Sequence, residues 1–284
     1  MYSRRDFSKL ALAGIPAAAL WAKPNSKING VQIGCQSYSF RDRSLDEALK
    51  AMVDIGLSEC ELWQGHVEPK KGTPPEDVKK WRVAPRTLTE LRDVKKKFDA
   101  AGVNIYALNY SFNKAFSDEE IEHGMEFAKA LGTKYITASS KVSLAKKIND
   151  IAHKHGVIVA MHGHDKTSDP DEFSSSDSFA RAMDGNSNIA VNLDIGHFTA
   201  ANEDPLAYID KHHDKIVTLH IKDRKKNHGD NMPFGQGETK IKEVLQLLKN
   251  KKYRIPANIE YEYKGVDTVA EVKKCYEFCK AALA

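Results

Sequence analysis

Eight short apolar, β-branched runs alternate with amphipathic stretches along almost the whole chain, and this alternation constrains the fold more than any other feature. The runs fall at residues 31–37, 59–62, 104–108, 135–138, 158–162, 190–193, 216–221 and 258–260. Between them, 118–131 repeats apolar residues at helical spacing behind Ser117, a good N-cap, and 240–249 sets Ile241, Val244, Leu245 and Leu248 on one face. Gly56, Gly102, Gly132 and Gly156 each stand where such a stretch gives way to the next run, the place of a left-handed helix cap. Strands alternating with helices imply a parallel sheet under helical cover, and eight such units imply one closed (β/α)8 barrel, a TIM barrel. An open doubly wound sheet fits less well, because Gly235-Gln236-Gly237 lacks the G-x-x-G spacing of a dinucleotide site. No linker divides the chain. Residues 70–86, with Pro74-Pro75 and Pro85, read as a long loop after the second strand.

The first residues belong to a different pattern. Ser3-Arg4-Arg5-Asp6-Phe7-Ser8-Lys9 precedes an apolar stretch over 10–21 with small residues near Ala17-Ala18-Ala19 and Ala22. That order of charged, apolar and small residues describes a removable signal peptide, and the paired arginines followed by Phe resemble a twin-arginine export signal. Gly14 and Pro16 argue against an amphipathic first helix. Residues 1–26 are therefore expected to be a signal peptide and short linker, 27–284 the barrel, and the mature protein periplasmic. Cys35, Cys60, Cys275 and Cys279 show no small-domain disulfide spacing and are expected to be free buried thiols. Lys plus Arg exceed Asp plus Glu by only 43 to 39, too small and dispersed an excess for a nucleic-acid footprint. No apolar run approaches the ~20 residues of a membrane span. Nucleic acid and membrane are thus not expected partners, and an oligomer is compatible with the sequence.

In such a barrel chemistry sits at the carboxyl ends of the strands. Here those ends are rich in metal-ligand types: His162-Gly163-His164-Asp165 on the fifth strand, Asp194-Ile195-Gly196-His197 on the sixth, His220-Ile221-Lys222-Asp223 on the seventh and Glu260 on the eighth. Asp194 follows the apolar run 189–193, where an unpaired carboxylate is expensive unless something cationic meets it. Alone, Asp194 is equally a helix cap or a lysine partner, and a lone strand-end histidine is more often structural. In register on four neighbouring strands, the same residues form a mixed N/O shell suited to one Mn, Zn, Co or Fe ion, and less to Mg. His212-His213, His153 and His155 read as surface or helix-end residues, and the runs 95–97 and 249–252 as solvated lysine faces.

The motifs Leu193-Asp194-Ile195-Gly196-His197, His220-Ile221-Lys222-Asp223 and Ile259-Glu260, with Gly56 to Trp63 on the second strand, resemble the sugar phosphate isomerase/epimerase family of xylose isomerase-like barrels. That family includes ketose 3-epimerases, hydroxypyruvate isomerase, inosose dehydratase, endonuclease IV and enzymes that cleave 3-keto-glycosides. The resemblance implies a metal-dependent enzyme acting on a keto sugar or 3-keto-glycoside by removing a proton α to a carbonyl. Epimerase-type members hold one metal with Glu, Asp, His and Glu; the last three fall on Asp194, His220 and Glu260. The first has no counterpart, its place being taken by His162 or His164. We expect His164 as the ligand, with Glu260, His162 and His197 as catalytic candidates. Loss of the first Glu favours a one-base reaction such as β-elimination over two-base epimerisation. Lys222 and Asp223 are expected on sugar hydroxyls, and Glu61, Trp63 and His66 on the opposite wall. Residues 227–238, with three glycines, read as a mobile loop over the pocket. An endonuclease IV-like phosphodiesterase and a non-catalytic carbohydrate-binding barrel are the alternatives.

Overall fold

A computed structural model describes residues 23–284, so the expected signal peptide lies almost wholly outside the described residues. Eight parallel strands close into a barrel: β1 (Val31–Gln36), β2 (Glu59–Trp63), β3 (Asn104–Asn109), β4 (Tyr135–Ala138), β5 (Ile158–His162), β6 (Ile189–Asp194), β7 (Ile216–Ile221) and β8 (Ala257–Ile259). Neighbours pair in chain order, and β8 returns to β1 through Ala257–Ile33 and Ile259–Cys35. Each strand therefore alternates between the barrel interior and the helical jacket. On the jacket side Val159, Met161, Val191, Leu193, Leu219 and Ile221 are buried in one continuous core with the helices.

The helices begin and end where local chemistry directs them. Ser44 and Ser117 cap Leu45–Ile55 and Asp118–Ala130 through reciprocal boxes with Glu47 and Glu120. Gly56 and Gly156 close their helices in the left-handed conformation, at φ of 95° and 64°. The expected loop over 70–86 is instead largely helical, with Pro75–Val83 followed directly by Pro85–Ala101. Each proline stands at the first helical position, where its missing N–H costs nothing, so here proline starts helices. The insertion is fastened by Arg82, which lies 2.8 Å from Glu68 and 3.2 Å from Glu120, and by Trp81 against Phe127.

All four cysteines are free and buried, as expected. The segment over 227–238 is not free-standing. Asn231–Met232 pairs with Asp223–Arg224, and the Asp223 carboxylate accepts the backbone N–H groups of Gly235, Gly237 and Thr239. No helix among the described residues is long and apolar enough to cross a membrane.

Candidate metal centre

Register brings the strand-end residues together. Asp194 pairs with His220 across β6 and β7, His220 with Asn258 across β7 and β8, and His162 with Asn192 across β5 and β6. Since inward side chains recur every second residue, His162, Asp194, His220 and Glu260 share the interior at the carboxyl end. Each offers a ligand atom within 4.8 Å of the other three, and all four are buried. His162, His220 and Glu260 line a cavity of about 310 Å3, whose wall also carries Trp63, His164, His197, Lys222 and Glu262, and Asp194 lies just behind them.

The geometry fits a divalent cation. With bonds of about 2.0–2.2 Å, two ligands of one ion stand up to about 4.4 Å apart, so a set spread over 4.8 Å closes on an ion with shifts of a few tenths of an ångström. His220 Nδ1 and Glu260 Oε2 are 3.1 Å apart, His162 Nε2 and Asp194 Oδ2 3.5 Å, and His162 Nε2 and Glu260 Oε2 3.9 Å. Neither ring nitrogen of buried His162 has a hydrogen-bond partner, and no well-directed hydrogen bond reaches Asp194 Oδ2. A buried ring nitrogen without a partner is costly, and here His162 Nε2 faces Asp194 Oδ2. Burial pushes the His162 imidazole down to about 4, so the ring is neutral, with a lone pair available, at physiological pH. Two imidazoles with two carboxylates suit zinc, manganese, cobalt or iron.

Two further groups shape this field. Burial opposes charge on His220, but Glu61 and Glu260 outweigh it and raise its pKa well above the usual value. Lys222 Nζ lies 3.0 Å from Asp194 Oδ2, 2.7 Å from Glu260 Oε2 and 2.6 Å from Glu262 Oε2. Burial likewise disfavours the ammonium, yet Asp194, Glu260 and Glu262 together keep it charged. Asp194 serves twice: Oδ1 accepts the N–H of His197 and caps the short helix Ile195–Ala200, while Oδ2 faces the centre. A Cβ on Gly196 would come within 2.9 Å of the Lys222 side chain and carbonyl, so only glycine lets this cap approach the seventh strand.

Several expected positions need correction. His162, not His164, stands in the four-residue cluster; His164 lines the cavity further out, and its Nδ1 lies 3.3 Å from Glu172. One pleat repeat beyond the end of β5, the chain has already turned outward. Glu61 is not on the cavity wall but fully buried beneath His220, 2.9 Å from its Nε2. His66 sits behind Trp63 with Nδ1 2.9 Å from Ser37 Oγ, and Trp63 screens it from the cavity. Asp223 follows inward-facing Lys222 and so points away, into the 235–239 turn. Trp63, Lys222 and His197 do line the cavity. His197 Nε2 is 3.3 Å from Lys222 and 3.9 Å from Asp194, while its Nδ1 lies 3.1 Å from Asp165.

The sequence did not reveal the partners that come from elsewhere in the chain. Arg224 joins Asp165 and His197, at 2.8 and 2.6 Å, and His228 reaches Asp165 at 3.2 Å. Gln36, Tyr38, Asn109, Ser111, Ser139 and Glu262 complete the wall. None carries a local motif; only alternation along the strands hints at Gln36 and Asn109.

Glu172 allows a test of the outer wall. Burial disfavours its charge, but His164 and Lys141 prevail and hold the carboxyl at about 2 against an ordinary 4.5. A carboxyl depressed on folding adds stability above its unfolded pKa and loses it as pH falls toward the folded value. Denaturation followed across the acid range should therefore show Glu172→Gln losing less stability than wild type between about pH 4.5 and 2. Parallel curves would mean that the His164–Glu172–Lys141 group is not coupled as described.

A closed parallel barrel with a convergent polar centre at the carboxyl ends of its strands defines a class, and comparison identifies the group within it. The chain belongs to the xylose isomerase-like TIM barrel family, whose profile matches residues 49–282. L-ribulose-5-phosphate 3-epimerase UlaE of Escherichia coli is 33% identical over 92 residues, 32% of this chain and 32% of that protein. The chain thus aligns with about a third of the length of the curated relatives it matches. Among solved structures, 3-keto-D-glucoside 4-epimerase YcjR from E. coli has a TM-score of 0.66 at 12% identity, over 88% of this chain and 99% of that one. The IOLI protein with a zinc atom has a TM-score of 0.67 at 18% identity, over 89% and 98%. At these identities the two structures establish the shared fold.

Proposed function

We propose that this protein is a divalent-metal-dependent enzyme acting on a keto sugar or 3-keto-glycoside, by isomerisation, epimerisation or β-elimination initiated by proton removal α to a carbonyl. The observation that carries this reading is the convergence of His162, Asp194, His220 and Glu260, with unpartnered ring nitrogens on His162, where three of the four line a cavity of about 310 Å3. A cation held there would supply Lewis acidity toward a carbonyl and its neighbouring hydroxyl. The remaining work belongs to side chains. The contacts of Glu260 fall on Oε2, which leaves Oε1 as the oxygen for proton transfer at the α carbon. Lys222 places a permanent charge where an oxyanion would develop. His197, braced by Asp165 and Arg224, faces the same space and suits proton delivery to a leaving or adjacent oxygen. Trp63, edge-on to Tyr38 with centroids 5.0 Å apart, offers an apolar face to a sugar ring. The absence of a strand-five Glu supports one-base chemistry.

We further propose that residues 1–26 form a twin-arginine export signal and 27–284 the mature periplasmic barrel, as the opening residues suggest. Fusing 1–26 to a reporter that folds before export should carry it to the periplasm only while Arg4-Arg5 is intact.

The function is tested by measuring bound metal and then incubating the protein with 3-keto-glucosides and common ketoses while following deuterium uptake from solvent. Exchange at the α carbon that requires metal is expected. A metal-bearing protein that binds such sugars without exchange would be a binding barrel instead. His197→Gln should lower turnover by about 10^2-fold, the scale of one acid–base group, with little change in metal content. Loss of the ion from that variant would make His197 a ligand.

A further inference from the structure

Glu61 is an ionisable residue in the middle of a buried strand, between Cys60 and Leu62, and none of its surface is exposed. Such a carboxylate is tolerated only where donors satisfy it. Both Glu61 oxygens lie 2.9 Å from His220 Nε2, Thr137 Oγ1 donates to Oε1 at 2.6 Å, and the amides of Asn109 and Asn258 approach at 3.4 and 3.5 Å. Every one of these donors comes from a different strand, so the carboxylate is clamped from around the barrel. Asn192 places Nδ2 3.1 Å from the same histidine nitrogen while its Oδ1 has no partner, so it is the exchanged amide, with Oδ1 on the ring, that accepts the same N–H. The opposite nitrogen, Nδ1, faces Glu260 Oε2 at 3.1 Å.

We propose that Glu61 is the positioning residue of the metal centre: it accepts the Nε2–H of His220 and so fixes the tautomer that presents Nδ1 to a cation held with His162, Asp194 and Glu260. This inference rests on the metal-centre reading above. A ligating imidazole needs one nitrogen free and the other anchored, and an anchoring carboxylate both orients the ring and raises its basicity. Thr137, Asn109 and Asn258 hold Glu61 in place, so the orientation of His220 is set from beneath the site by groups that do not touch the cation.

The test uses the purified full-length barrel, stripped of metal and titrated with zinc or cobalt against a competing chelator, alongside melting of the metal-free form. Glu61→Gln should bind metal about 10- to 100-fold more weakly, and Thr137→Val should shift affinity in the same direction by less. Cobalt spectra of Glu61→Gln should change in the visible region, because the imidazole is no longer held in one orientation. In zinc-loaded wild type, 15N shifts of His220 should show a protonated Nε2 and a metal-bound Nδ1; this arm does not require any variant to fold. Unchanged affinity in folded Glu61→Gln, or zinc on Nε2, would overturn the inference while leaving the metal centre in place. Failure of wild type to bind either ion would overturn the metal-centre reading itself.

Discussion

Asp194→Asn should empty the metal centre and, with it, abolish turnover. The variant retains Oδ1 as an acceptor for the His197 N–H, so the cap on Ile195–Ala200 survives and the fold is little disturbed. What disappears is the charge on Oδ2, the oxygen 3.5 Å from His162 Nε2 that closes the four-ligand set. Glu260→Gln should behave alike, with the added loss of the proposed base. Lewis-acid stabilisation of several kcal/mol corresponds to a fall in turnover of about a thousandfold or more. Elemental analysis of the purified variants, paired with the solvent-exchange assay, measures both effects. Full activity in protein demonstrably free of metal would refute the mechanism.

Lys222→Met should be the most destabilising change near the site in metal-free protein. Its ammonium lies within 3.0 Å of three carboxylates, two of them, on Asp194 and Glu260, buried. Removing one partner of a buried ionic group leaves uncompensated charge and costs about 3–5 kcal/mol. For a barrel of this size that corresponds to a drop in melting temperature of about 10 °C. Zinc or manganese should recover much of the loss, because a divalent ion neutralises the same two carboxylates. Combining Lys222→Met with Glu260→Gln should cost less than the sum of the single changes, since the two groups are coupled. A metal-free Lys222→Met protein that melts like wild type would show that solvent, and not Lys222, balances these carboxylates.

Much of the architecture was legible along the chain. The eight apolar runs coincide with the eight barrel strands, give or take a residue or two, because a strand buried on both faces must be apolar almost throughout. The misreading at 70–86 came from treating proline as a breaker when its position, just inside two helices, makes it a starter. That Asp194, His220 and Glu260 come together was equally legible, because a polar side chain ending an apolar strand demands a partner.

The remaining assignments depended on facts that no local pattern carries. Whether His162 or His164 enters the cluster depends on where β5 stops and the chain turns outward. The two histidines share one alternation phase, so spacing could not separate them. Glu61 and Asp223 looked like wall residues because they neighbour such residues in sequence, yet one lies beneath the floor and the other in a turn. Their placement is decided by donors from distant strands and loops, Thr137 and His220 for Glu61, Gly235 and Thr239 for Asp223. Sequence by itself determined the strand count, the barrel and the kinds of polar side chain at its mouth, since burial and pleat leave an imprint every second residue. Only tertiary structure decided which atoms meet, because contact across a barrel is set by register and closure, and these join residues that the chain keeps far apart.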